Sequence, residues 1–65
     1  MNAQQAIARS VSHDEIVTFE ASASDHDALS ERCEDSCDLT AQYGYVDYWG
    51  SDGDGDWRVQ ARVAP

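Results

Sequence analysis

Apolar residues recur along the chain at two different spacings, and these spacings predict its first two elements. Ala3, Ile7 and Val11 lie at helical intervals among good helix formers, which predicts a short helix from Asn2 to Ser10. The β-branched and aromatic residues that follow from position 16 favour a strand. Because side chains alternate along a strand, its buried face is predicted to comprise Val17, Phe19, Ala21 and Ala23.

A second helix is predicted from a capping pattern at Ser24. Ser24 stands three residues before Asp27, which is the order of an N-cap and an acidic residue in the first turn. The helix is expected to run through about Cys37. An apolar stripe at steps of three and four residues would pack the helix on a sheet: His26, Leu29, Cys33 and Cys37.

Two further strands, 39–50 and 56–64, are predicted to form a hairpin, because Asp52-Gly53 is a strong two-residue turn signal. This turn sets Tyr48 against Trp57 and Val46 against Val59 on one face, and Asp47 against Arg58 and Tyr43 against Arg62 on the other. The sequence therefore predicts one small α+β domain over residues 1–65, in the order α-β-α-β-β. Its short antiparallel sheet would include the C-terminal hairpin and be packed by one or two helices.

The charge balance of the chain excludes some classes of function. The chain has 13 acidic residues, four arginines, no lysine and a formal net charge of −9. This balance excludes a Schiff-base lysine and argues against binding nucleic acid or an anionic membrane through a basic surface. The sequence has no apolar run of the roughly 20 residues that a membrane span needs. A cytoplasmic protein is therefore expected, with its two cysteines reduced.

Patterns for metal binding and catalysis are incomplete. Cys33 and Cys37 are one helical turn apart and the two histidines are thirteen residues apart, which does not fit the usual zinc spacing. The run from Asp52 to Asp56 resembles the opening of a calcium loop, but Trp57 stands where that loop needs glycine. We therefore expect no metal, no cofactor and no enzymatic activity.

The candidate functional feature is a row of carboxylates on the predicted second helix. Its members recur at steps of four, three, one and three residues on one helix face: Asp27, Glu31, Glu34, Asp35 and Asp38. A helix would space them at about 3.3 Å per charge, close to the roughly 3.4 Å per charge along one DNA strand. A second acidic patch is expected on the hairpin: Asp47, Asp52, Asp54 and Asp56.

In its acidic row, its Asp-Gly-Asp-Gly-Asp tip and its lack of lysine, the chain resembles the small acidic DNA mimics of phages and mobile elements, above all anti-CRISPR proteins. The resemblance implies a phage inhibitor that acts in the bacterial host cytoplasm. Its partner would be a type I CRISPR–Cas surveillance complex, whose basic DNA-binding surface it would occupy. Both acidic groups of residues would then contact lysines and arginines of that complex, without chemistry.

An alternative function from another class uses aromatic rather than acidic side chains. Tyr43, Tyr45 and Trp49 are predicted to share the outer face of their strand with Asp47, and exposed Tyr and Trp are typical binding anchors. The protein would then be a protein–protein interaction module whose binding is nearly indifferent to salt. Either a monomer or a homodimer is compatible with the pattern.

Overall fold

The chain folds into a four-stranded sheet with two helices packed on one of its faces. The computed structural model describes residues 1–34, 38–40, 44–53 and 55–63. The elements in chain order are α1 (Ala3–His13), β1 (Ile16–Ala21), α2 (Ala23–Arg32), β2 (Asp38–Thr40), β3 (Tyr45–Asp52) and β4 (Gly55–Val63). The predicted small α+β domain is confirmed, but the predicted order α-β-α-β-β is wrong, because two strands, β2 and β3, are present where one strand at 39–50 is predicted. Neither described helix is long and apolar enough to cross a membrane.

The sheet is mixed, with the strand order β1-β4-β3-β2. β3 pairs antiparallel with both β2 and β4, whereas β1 pairs parallel with β4 along its whole length. The prediction of an antiparallel sheet is therefore wrong for β1. A hairpin fixes the direction of its strands through its turn, but strands that are far apart in the sequence carry no such local signal.

The hairpin has a different register from the predicted one. Asp52 pairs with Gly55, so Tyr48 lies opposite Val59 and Gly50 lies opposite Trp57. The prediction that Tyr48 faces Trp57 is wrong, and Asp47 lies opposite Gln60 rather than Arg58. Because the pairing shifts by two positions, each side chain keeps its predicted face of the sheet.

Gly50 decides this register, because it gives the Trp57 ring a place on the buried face. A Cβ at position 50 would lie 2.8 Å from Trp57 Cζ2 and 2.7 Å from the backbone oxygen of Arg32. Trp57 is 3% exposed, and the Arg32 guanidinium carbon lies 6.0 Å from its ring centroid. If Trp57 lay opposite Tyr48, two large side chains would compete for neighbouring space on the buried face. Opposite Gly50, the Trp57 ring has that space to itself.

The end of α2 follows from the same contact. The Arg32 carbonyl lies against Gly50, Cys33 is extended at φ −64° and ψ 131°, and the Glu34 N–H donates to the Trp49 carbonyl at 3.3 Å. The predicted helix through Cys37 is therefore wrong. The predicted N-cap at Ser24 is also wrong, since Ser22 is the N-cap and forms a capping box with Asp25.

The hydrophobic core lies between the helices and the sheet. β1 alternates as predicted, with Val17, Phe19 and Ala21 buried, whereas Ala23 begins α2. Leu29 is the buried residue of α2. Among the residues whose burial the structure describes, the other buried hydrophobic residues are Ala3, Ala6, Ile7, Val46, Tyr48, Trp57, Val59 and Ala61.

Ser10 joins α1 to the sheet through its buried side-chain hydroxyl. Its Oγ accepts the Arg58 N–H at 2.9 Å and donates to the Glu15 carbonyl at 2.7 Å. Ser10 is 2% exposed, so these bonds are shielded from water. The hydroxyl thus provides a hydrogen-bond acceptor for the backbone N–H of Arg58 on β4, at the position where the pairing with β1 begins.

We expect Gly50→Ala to lower the free energy of unfolding by roughly 1–3 kcal/mol, because the new methyl group overlaps both Trp57 and the end of α2. Urea denaturation measures the change. Gly53→Ala is the matched control, since a Cβ at Gly53 meets nothing within 4 Å. Equal stability of the two variants would contradict the close approach at Gly50.

Ser10→Ala is expected to cost roughly 1–3 kcal/mol, because it leaves the Arg58 N–H buried without its acceptor. Ser12→Ala, on the exposed side of α1, should change stability by less than about 0.5 kcal/mol. Thermal and urea unfolding of both variants test the difference. A Ser10 variant as stable as wild type would show that the hydroxyl does not hold α1 to β4.

Candidate functional site

The predicted acidic row is not a row on one helix. Only Asp27 and Glu31 lie on α2, where both are exposed, because the helix ends at Arg32. Glu34 follows the helix, and Asp38 begins β2, with its backbone paired to Asp47. Asp35 falls outside the described residues. The predicted match to the charge spacing of a DNA strand is therefore wrong.

The second predicted patch is also divided. Asp47 is half-buried and forms an ion pair with Arg58, whose Nη2 lies 3.2 Å from its Oδ2. Its Oδ1 is buried without a hydrogen-bond partner among the described residues. Asp56 is exposed. Asp52 ends β3, where the structure describes its backbone, and Asp54 falls in a gap of the description.

Carboxylates from several segments instead meet around one open groove, which we call the acidic groove. It encloses about 570 Å³ at the end of the sheet where β1 and β4 begin. Asp14 and Glu15 border it after α1, Glu34 after α2 and Asp56 at the start of β4. Its other walls are Ser10, Ile16, Trp49, Gly50, Ser51, Trp57 and Arg58.

Most of the arginines are already engaged with the protein's own groups. Arg9 pairs with Glu15 at 3.4 Å, Arg58 with Asp47 at 3.2 Å and Arg62 with Glu20 at 3.5 Å. Arg32 lies over Trp57. Within the described part of the chain, five exposed carboxylates form no ion pair: Asp14, Asp27, Glu31, Glu34 and Asp56. Three of these five border the acidic groove.

Asp25 is a carboxylate with a structural task. Its Oδ2 accepts the Ser22 N–H at 3.0 Å and its Oδ1 accepts the Ala3 N–H at 2.9 Å, so it ties the beginnings of the two helices together. The hydrogen bonds from the Ser22 and Ala3 backbone lower the pKa of Asp25 below its ordinary value of 3.8. Asp25 is thus part of the fold and is not available to a partner.

The sheet face opposite the helices has no covering element among the described residues, and we call it the open sheet face. Three rows cross β1, β4 and β3 on this face: Ile16–Arg58–Trp49, Thr18–Gln60–Asp47 and Glu20–Arg62–Tyr45. Asp56 and Ser51 form a further outward pair. Ile16 is 49% exposed and Trp49 is 41% exposed, while Tyr45 is half-buried. Of the aromatic residues in the alternative function, Tyr43 lies in an undescribed stretch.

His26 of α2 and Cys33, which follows the helix, have packing roles. His26 is half-buried as predicted, and its Nδ1 lies 2.5 Å from the Tyr48 hydroxyl. Cys33 is partly buried against the core, and Cys37 is not among the residues described. Across the described ranges, no group of three or more His, Cys, Asp or Glu side chains is arranged to hold a metal ion.

Sequence reasoning missed two of the carboxylates that border the acidic groove, Asp14 and Glu15. They lie between the predicted first helix, which ends at Ser10, and the strand predicted from position 16, where the sequence pattern indicates no site. Asp14 adopts the left-handed conformation at φ 50° that ends α1, and its N–H donates to the Ser10 carbonyl. Only the parallel pairing of β1 with β4 brings this turn beside Asp56, and no local pattern reports that pairing.

We expect Asp25→Asn to lower the melting temperature at neutral pH, because one oxygen can no longer accept a backbone N–H. Since the folded-state pKa lies below 3.8, the carboxylate's contribution is complete above that pH and is lost as the pH falls through the folded-state value. The difference from wild type should therefore shrink below pH 3.8. Thermal melts across pH measure it, with exposed Asp27→Asn as the control. A pH-independent difference would contradict the stabilising role of the charge.

In comparisons with protein-family models, with curated proteins and with solved structures, no match to this chain was found.

Proposed function

We propose that this protein is a stoichiometric inhibitor that binds a basic surface of a nucleic-acid-binding protein and keeps nucleic acid from it. The observation that carries the proposal is the acidic groove. Asp14, Glu34 and Asp56 reach it from three separate segments, and none of them has an ion-pair partner in the described structure. Arg58 is the cationic side chain of the groove wall and is paired with Asp47, so further cations for these carboxylates come from solution or from another molecule.

Charge supports this kind of partner. The net charge of −9 attracts a basic surface and speeds association with it, and a surface that binds nucleic acid is basic for the same reason. Glu34 and Asp56 are exposed, so their contacts with lysine or arginine require little desolvation. Trp49 adds an apolar wall on which an arginine side chain can stack.

The proposed geometry differs from a straight row of phosphate-like charges. Carboxylates around a groove fit a protruding basic segment, and Asp27 and Glu31 on α2 form a separate, smaller acidic surface. Inhibition would follow from occupying the partner's basic site, with no bond made or broken. The first target to test is a type I CRISPR–Cas complex of the bacterial cytoplasm.

The test compares two double charge reversals, Glu34→Lys with Asp56→Lys at the groove and Asp27→Lys with Glu31→Lys on α2. Each changes the net charge from −9 to −5, so the two variants differ only in where the charge changes. The assay titrates each protein into a type I surveillance complex with labelled target duplex. We expect wild type to block duplex binding near stoichiometry and high salt to relieve the block.

The groove variant should lose at least about tenfold in inhibition, and the α2 variant only about twofold. Circular dichroism confirms that both remain folded. Equal losses would show that net charge, not the groove, governs binding. No inhibition by wild type would exclude occlusion of that complex, and the same titration would then be run on other basic nucleic-acid-binding proteins.

A further inference from the structure

Arg58 lies where the open sheet face meets the acidic groove, and carboxylates flank it on two sides. It is the cationic side chain of the groove wall and belongs to the outward row Ile16–Arg58–Trp49. Asp47 lies one row farther from the groove, and Asp56, two residues earlier on β4, lies one row nearer to it. Because alternate residues of a strand share a face, both carboxylates are on the same side of the sheet as Arg58.

Distance along the sheet does not decide which carboxylate binds the guanidinium. Asp56 and Arg58 are about 7 Å apart along β4, and Asp47 is a diagonal neighbour of Arg58 at about 7–8 Å across the pairing of β3 with β4. An arginine side chain spans either distance. The structure nevertheless pairs Arg58 with Asp47, with Nη2 3.2 Å from Oδ2, and leaves Asp56 without an ion pair among the described residues.

Burial explains why Arg58 pairs with Asp47. The Asp47 side chain is 15% exposed, and its Oδ1 is buried without a hydrogen-bond partner in the described part of the chain. A carboxylate that is largely removed from water gains most from a nearby cation. Asp56 is exposed, so water already solvates its charge. The guanidinium is therefore held on the side that faces away from the groove.

We propose that Asp47 is a positioning residue, which keeps the groove's own cation away from the groove carboxylates. While Asp47 holds Arg58, the charges of Asp14, Glu34 and Asp56 stay available to a basic partner. Without the charge of Asp47, Arg58 turns to Asp56, the adjacent carboxylate on β4, and occupies part of the groove in the partner's place. This inference rests on the proposed function and gives Asp47 a task other than contact with the partner.

The test compares variants of matched net charge. Asp47→Asn and Glu20→Gln each change the net charge from −9 to −8, and the double variant Asp47→Asn with Arg58→Gln returns it to −9. Glu20→Gln is the control, because it also removes a carboxylate of the open sheet face and releases an arginine, Arg62, which lies two rows farther from the groove than Arg58. The probe is a short peptide of alternating arginine and glycine, and fluorescence anisotropy at low salt measures its affinity.

We expect Asp47→Asn to weaken peptide binding about three- to fivefold, because Arg58 then neutralises a groove carboxylate, and Glu20→Gln to weaken it less than about twofold. The double variant should bind within about twofold of wild type, since the released cation is no longer present. Equal losses for the two single variants would show that net charge alone sets the affinity, and would overturn the inference. Circular dichroism establishes folding, and Asp47→Ser takes the place of Asp47→Asn if the latter does not fold.

Nuclear Overhauser contacts of the Arg58 side chain give a readout that does not depend on the peptide. We expect contacts with Asp47 in wild type and with Asp56 in the folded Asp47→Asn variant. An Arg58 side chain that stays beside position 47 in that variant would overturn the inference and leave the proposed function intact. A wild type that binds no peptide would overturn the proposed function and, with it, the inference.

Discussion

The packing of Trp57 over Gly50 is the contact on which the rest of the structure depends. It sets the register of β3 against β4, because a glycine on the buried face is what gives the indole its space. It also places the Arg32 carbonyl against β3, so α2 ends there and the chain continues toward β2. The positions of Glu34 and Asp56 beside one groove follow from these two consequences.

The sequence predicted the elements whose signals are local. The alternation in β1 and the helical spacing of Ala3 and Ile7 report each residue's own neighbours, and both predictions hold. The second helix was predicted at nearly its observed position but too long. Cys33 and Cys37 continue the helical spacing of the apolar stripe, whereas the contact of the Arg32 carbonyl with Gly50 ends the helix. The faces of the hairpin were predicted correctly, but its register was not. The prediction matched large residues across the strands and did not consider that the Trp57 ring needs the space left by Gly50.

The candidate site was harder to predict because it depends on pairing between distant strands. Glu34 and Asp56 were identified from the sequence as members of two separate acidic patches. The structure places them around one groove with Asp14, and it separates them from Asp27 and Glu31. Composition shows that the protein is acidic. It does not distinguish a carboxylate such as Asp25, which holds the beginnings of two helices together, from one that is exposed to a partner.

The strand order also governs how the molecule is assembled over time. β4 lies between β1 and β3, yet it is the last of these strands to leave the ribosome. β1 therefore has no sheet neighbour while the middle of the chain is being translated, and α1 has no complete surface to pack on. Native contacts of long sequence separation form slowly, and those of β1 with β4 can form only after β4 has been translated. Until then the apolar face of β1, with Val17, Phe19 and Ala21, lacks the neighbouring strand beside which it is buried in the folded protein.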